Sequence, residues 1–443
     1  MVTVPSSKSH TIRALLIAAL AEGPSTISNI LDSADARSCI AGIRAFGAGC
    51  EILSRGDTEG LTVAVTPVDQ SLLEREREVS IDVGNSGTTL YMMTALAALQ
   101  RGAVHFDGDS SIRTRSAGPL LDALQQMGAT ISGGPRCPYS VGGPLPGVGD
   151  APVRVASPTS QYLSALLLTA PLISSGVDRP AGERSTVITP TVLNEHPYVD
   201  MTCWWLERQG VIITREGYDR FIVPPGQRYR PVAGTLPGDY SSATFWFCAG
   251  ALSTDGVTVR GLDPADVQGD RHVLEIMREL GCTVTTGSDA GVPTVTVAGP
   301  MTRGGVFDLN AMPDALPALA AVACYAPEEI TLGNVPQARE KETDRIAMMA
   351  RELGTLGADI RELPDGLVIA PTGRGCMGGI VDSHGDHRIA MALAVAALAS
   401  DGPVTIHDAT AAAVTYPAFF HDLAQVVSSG AAKPGAASSG ASE

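Results

Sequence analysis

Four ionisable side chains fall within five positions late in the chain. They are Lys341, Glu342, Asp344 and Arg345, in the run QAREKETDR at 337–345. Proton transfer beside an anionic group needs carboxylates poised among fixed cations, and this run supplies both. It follows a predicted strand, Ile330–Leu332, and opens a predicted apolar helix, Ile346–Leu353. A helix start presents unbonded N–H groups to an anion. A capped, charged helix start on the surface explains the same residues equally well.

The elements that must position such residues repeat. A turn of small or polar residues, an apolar helix, a Gly or Asp and a β-branched strand recur at Ser7–Ile30, Gly84–Phe106, Ser157–Val177, Gly238–Gly261, Met312–Val335 and His384–Ala409. The starts lie about 75 residues apart, and a fixed period of this kind means stacked supersecondary units. A second helix follows each strand, as in GPLLDALQQMGATI, RHVLEIMRELGCTV and RIAMMARELGTLGADI, closing on Gly and leading into alternating strands such as LTVAV, TVTVA and GLVIA. Each unit therefore reads as β-α-β-α-β-β, an α/β (α+β) chain in which the first helix is apolar enough to be buried. Those first helices are expected to open on Ser, Asn, Asp or Gly, and symmetric packing would bring several of their N-termini to one anion site.

Composition narrows the function. A net charge of -16 argues against nucleic acid as a partner, because a phosphate backbone needs a basic surface. A small anion is still accommodated by a local cluster of Arg and Lys. The eight cysteines form no CxxC or Cys/His ligand spacing and read as buried thiols in a reducing, cytoplasmic compartment. No signal peptide is read at Met1–Pro5, and no apolar run is long enough for a bilayer. The stretch 428–443 has the composition of a disordered tail.

Six motifs carry a more specific signal: PSSKSHTIRALLIAALAEG, VGNSGTTLYMMTALAAL, PTSQYLSALLLTAPL, GDYSSAT, KETDRIAMM and GDHRIAMALAV. In this order and spacing, from Pro5 to about Leu423, the chain resembles the enolpyruvyl transferase family, on its 5-enolpyruvylshikimate-3-phosphate synthase branch. The resemblance implies two similar domains of three units each, the inside-out α/β barrel type, at 7–235 and at 1–6 plus 236–427. It implies transfer of the enolpyruvyl group of phosphoenolpyruvate (PEP) to a hydroxyl of a small acceptor with release of phosphate. No metal or organic cofactor, no nucleic acid and no membrane is implied, and the expected state is a monomer.

Residue by residue, the resemblance assigns Lys8, Asp314, Lys341, Glu342 and His387 to catalysis. Lys8, Gly87, Arg115, Gln161, Arg345 and Arg388 fall to PEP. Ser9, Arg13, Thr159, Ser160, Gln161, Tyr198, Asp314, Gln337 and Lys341 fall to the acceptor. Asp314 matches the carboxylate that takes the acceptor proton, and Glu342 the one beside the PEP methylene carbon. Each has a plainer alternative: N-capping for Thr159 and Ser160, a helix-entry glycine for Gly87, and a backbone-bonded ring for His387.

The chain also departs from the family pattern. Glu195 stands where a serine usually meets the acceptor phosphate, Gln337 where asparagine is common, Val414 where a lysine reaches PEP, Tyr91 where an arginine often follows GNSGT, and Ser6 where glycine is usual. The expected acceptor is shikimate 3-phosphate; the alternative is another hydroxyl, on a nucleotide or a cyclitol. The related transferase acting on UDP-N-acetylglucosamine is disfavoured, since no Cys lies near Asp109–Ser111. A pure binding module or an RNA 3′-phosphate cyclase is opposed by the acidic charge and by the set Lys8, Asp314, Glu342, Arg345 and Arg388.

Overall fold

The computed structural model describes residues 1–56, 60–145, 151–173 and 185–428. The disordered tail expected at 428–443 lies, from 429 on, outside them. Chain contacts divide the molecule into two units, one of residues 1–7 and 237–443 and one of residues 8–236.

Both units are assembled from one local pattern. Strand Val79–Asp82 runs parallel to Gly102–Asp107, and helix Gly87–Ala97 makes the crossover that a parallel pair demands. Helix Gly118–Gln126 follows, and then an antiparallel pair, Thr130–Gly133 with Tyr139–Gly143, the latter lying against Gly102–Asp107. The same strand order recurs in four more sheets, nucleated on Ser25–Ile30, Thr186–Leu193, Val257–Arg260 and Ile330–Gly333. The sixth differs: among the described residues it is the parallel pair Met377–Asp382 and Asp401–His407 alone. There the 3-10 turn Ala409–Val414 and helix Phe419–Ser428 stand where the other copies have a second helix and a hairpin.

Two strands lie away from the repeat they precede. Val2–Thr3 comes just before helix Lys8–Ala19 but pairs with Val257–Arg260 of the fourth repeat. Ala233–Thr235 comes just before helix Tyr240–Ala251 but pairs with Ser25–Ile30 of the first. Each of these sheets therefore takes its first strand from a remote part of the chain.

The helices sort by burial as their sequences require. Tyr240–Ala251, Leu316–Ala323 and His387–Ala397 are buried at every residue and pack against one another. Helix Gly87–Ala97 packs against both Lys8–Ala19 and Ser160–Thr169 in the other unit. A helix apolar on all sides has no other stable place. The second helices bury one face: in Arg345–Thr355 the buried apolar residues are Ile346, Met349 and Leu353. Four of the six central helices have a Ser, Thr or Asp cap bonding the first turn, at Ser86, Thr159, Asp239 and Asp386. Helix Leu316–Ala323 departs from the expected small or polar start: the 3-10 turn Pro313–Ala315 leads into it with no side-chain cap, since Met312 and Ala315 at the cap positions carry no acceptor oxygen. Among the described residues no helix is long and apolar enough to cross a membrane.

Candidate active site

The densest charge in the 237–443 unit surrounds Arg345. Asp344 caps helix Arg345–Thr355, accepting from Ala347 N at 3.0 Å, and this sets Arg345 on the first turn with its side chain directed inward, 1% exposed. Its guanidinium donates from Nη1 to Asp314 Oδ1 at 2.7 Å, from Nη2 to Glu342 Oε2 at 2.5 Å and from Nε to Asp386 Oδ2 at 2.8 Å. Burial pulls the Arg345 pKa down, but Asp386, Glu342 and Asp314 outweigh it and hold it above the usual value.

Arg388 joins the same cluster from the first turn of helix His387–Ala397. Its Nη2 lies 3.0 Å from Asp314 Oδ2 and donates to Ser241 Oγ at 2.6 Å. The carboxylate of Asp314 thus bridges two buried arginines, one on each oxygen. Asp386 caps that helix, accepting from Arg388 N at 2.8 Å while it holds Arg345. Three carboxylates surround two guanidiniums, an arrangement that fixes Asp314 and Glu342 in place. Arg charge with geometric rigidity is what such a frame needs.

Other expected residues of this unit lie close in sequence to the cluster. Lys341 is half-buried at the end of the 3-10 turn Pro336–Glu340. His387 is buried at the start of its helix, Nδ1 3.9 Å from Asp386 Oδ1. Gln337 is buried and donates from Nε2 to Asn310 O at 3.1 Å. Val414 is half-buried at the end of its 3-10 turn and brings no charge.

In the 8–236 unit the expected residues form three groups. Lys8, the first residue of its helix, pairs with Asp35 at 3.1 Å. Around Gly87, Arg115 donates from Nη2 to Asn85 Oδ1 and to Ser111 Oγ, both at 3.0 Å. A Cβ on Gly87 would stand 2.8 Å from Arg115 Nη1 and 3.9 Å from Gln161 Oε1, so these three residues face one small space. Tyr91 lies edge-on to Tyr162, ring centroids 5.0 Å apart.

Arg13 makes the third group. Its Nε donates to Thr202 Oγ1 at 2.9 Å, Nη1 to Ser9 O at 3.1 Å and Nη2 to Tyr198 O at 3.1 Å. Burial pushes its pKa down to about 10, opposed by Tyr198, Glu195 and Cys203. It fastens helix His196–Arg208, carrying Tyr198, to helix Lys8–Ala19. Beside it, Glu195 accepts on Oε2 from Ser160 N at 3.0 Å, Ser160 Oγ at 2.7 Å and Thr159 Oγ1 at 3.2 Å.

Several participants were not anticipated from sequence. Asp386 and Asp35 hold Arg345 and Lys8; Asn85 and Ser111 hold Arg115; Ser241 meets Arg388. Asp386 was open to detection, since it sits in the cap position of GDHR. Nothing in the local sequence marks Asp35 or Ser111.

Residues 1–423 match the family model for EPSP synthase (3-phosphoshikimate 1-carboxyvinyltransferase). The chain is 41% identical over 425 residues to the 3-phosphoshikimate 1-carboxyvinyltransferase of Ruminiclostridium cellulolyticum, spanning 95% of this chain and 94% of that one. It is 42% identical over 429 residues to the protein of the same name from Acetivibrio thermocellus, spanning 96% and 95%. Among solved structures, an EPSP synthase from Acinetobacter baumannii matches with a TM-score of 0.75 and 27% identity, over 96% of this chain and 94% of that one. The enolpyruvyl transferase NikO from Streptomyces tendae matches with a TM-score of 0.69 and 20% identity, over 96% and 94%, and shares the fold.

Proposed function

This chain belongs to the EPSP synthase family, and we propose that it transfers the enolpyruvyl group of PEP to a hydroxyl of shikimate 3-phosphate, releasing phosphate. The observation that carries the reading is the Asp314 carboxylate bridging buried Arg345 and Arg388, with Glu342 on the same guanidinium as Asp314. Two carboxylates held by a shared cation keep a fixed separation, as an acid and a base acting on neighbouring atoms require.

In this reading the acceptor oxygen bonds to C2 of PEP while its proton passes to Asp314 and Glu342 delivers a proton to C3. Glu342 then takes a proton back from C3 while phosphate leaves C2 with the proton held by Asp314, which restores the double bond and both groups. Lys341 sits beside the acceptor hydroxyl, and His387 stands at the edge of the same group. Lys8, Gly87, Arg115, Gln161, Arg345 and Arg388 hold the carboxylate and phosphate of PEP; Ser9, Arg13, Thr159, Ser160, Gln161, Tyr198 and Gln337 serve the acceptor. Eight free cysteines, seven of them buried, support a reducing, cytoplasmic setting, and the working form is a monomer.

The test is release of inorganic phosphate from PEP, followed with and without shikimate 3-phosphate. Saturable release that needs the acceptor is expected. Absence of release with shikimate 3-phosphate, together with release driven by a nucleotide or cyclitol from a panel, would replace this acceptor with the other.

Gly87→Ala probes the PEP side. The added methyl would sit 2.8 Å from Arg115 Nη1, so the guanidinium must move. A misplacement of this size is expected to raise the KM for PEP about tenfold or more. Steady-state kinetics with an unchanged PEP KM would remove Arg115 from the proposed site.

A further inference from the structure

Helix Ser160–Thr169 begins with a set of donors directed at one point. Ser160 N, Ser160 Oγ and Thr159 Oγ1 all meet a single carboxylate oxygen, Glu195 Oε2. Thr159 already caps this helix, accepting from Gln161 N at 3.5 Å. The carboxylate is thus not the ordinary cap. It arrives from a segment about 35 residues later and sits as a bound anion would. Its residue is 2% exposed and holds a left-handed backbone, φ 59, uncommon for a residue with a side chain. Asn194, its neighbour, is tied to Ser157 O at 3.2 Å, and the buried Ser157 hydroxyl has no hydrogen-bond partner among the described residues. The Arg13 guanidinium lies near enough for its charge to feel that of Glu195. Backbone N–H, two hydroxyls, a helix start and a buried cation make a seat for an oxyanion, and here the chain's own carboxylate takes it.

We infer that Glu195 is an acceptor-specificity residue. It fills the oxyanion seat at the start of helix Ser160–Thr169, so a phosphorylated acceptor binds only by displacing the Glu195 carboxylate. The inference rests on the proposed reaction, in which the acceptor carries a phosphate. Two anions cannot share donors this close without strong repulsion, so the chain discriminates less in favour of a phosphorylated acceptor than its other binding residues would permit. An acceptor without phosphate does not compete for the seat.

Calorimetric titration of shikimate 3-phosphate and of shikimate into the wild-type protein, E195S and E195Q tests this. Phosphate release from PEP with shikimate 3-phosphate is run on the same samples. In E195S the Kd for shikimate 3-phosphate is expected to fall about tenfold or more, with shikimate changed less than about threefold. E195Q keeps the shape and removes the charge; it should show most of the gain and covers the case in which E195S does not fold. Equal or weaker binding of shikimate 3-phosphate by the folded variants overturns the role of Glu195, even if the wild type turns over. Tighter binding by the variants without phosphate release from any of the three supports the role of Glu195 and overturns the proposed reaction. No binding of shikimate 3-phosphate by any of the three overturns both.

Discussion

Arg345→Ala is expected to abolish turnover and to destabilise the 237–443 unit by about 3–5 kcal/mol, the usual cost of stripping one partner from a buried ion pair. The size follows from what the guanidinium holds. Asp386 is fully buried and both its oxygens lie on Arg345; Asp314 and Glu342 take the remaining donors. Removal leaves carboxylates facing one another with a single guanidinium, that of Arg388, nearby. Burial that Arg345 made tolerable then becomes a penalty on each of them. Urea denaturation and steady-state kinetics on the same preparation measure the two effects. Arg345→Lys separates them: an ammonium restores the charge but cannot form bonds to three carboxylates in one plane. It should recover part of the stability and little of the activity. An unaltered denaturation midpoint and an unaltered PEP KM in the alanine variant would place Arg345 outside both roles.

Asp314→Asn is expected to lower kcat by about 10²–10⁴, the range for loss of a positioned general base. The amide retains the shape and an acceptor atom, and Arg345 keeps two carboxylates, so the fold should survive with a loss of about 1–3 kcal/mol. Lost turnover with PEP binding preserved to within about tenfold is the expected pattern for a group that acts in the transition state. Single-turnover measurement of intermediate formation reads the step directly. Wild-type kcat in a folded Asp314→Asn protein would transfer the base role elsewhere, with Lys341 the next group to examine.

Much of the fold was legible because its signals are local. The helix Tyr240–Ala251 is apolar on every side, and only complete burial satisfies such a helix. The alternation of LTVAVT, with Leu61, Val63 and Val65 inward, declared a half-buried strand. The exceptions also have local reasons. Leu316–Ala323 starts without a side-chain cap because Met312 and Ala315, the residues at the cap positions, have no side-chain acceptor. The sixth copy differs after Asp401–His407: among the described residues the 3-10 turn Ala409–Val414 and helix Phe419–Ser428 follow, with no hairpin.

The candidate site was legible by residue type but not by partnership. Arg345, Arg388, Asp314 and Glu342 could each be chosen from their motifs. That one guanidinium is divided among Asp314, Glu342 and Asp386 could not, since these residues are as many as 72 positions apart from first to last. Likewise Glu195 read as a misfit carboxylate near an anion site, whereas it is the anion on that site.

The amino-acid order by itself determined the six-fold β-α-β-α pattern, the burial of the central helices and the residue types available for chemistry. These follow from propensity and periodicity over ten to twenty neighbouring residues. Tertiary structure alone decided which remote strand completes a sheet, as Val2–Thr3 and Ala233–Thr235 do, and which acid each buried cation holds. Such pairings depend on shape and desolvation across long chain separations, where no local period records them.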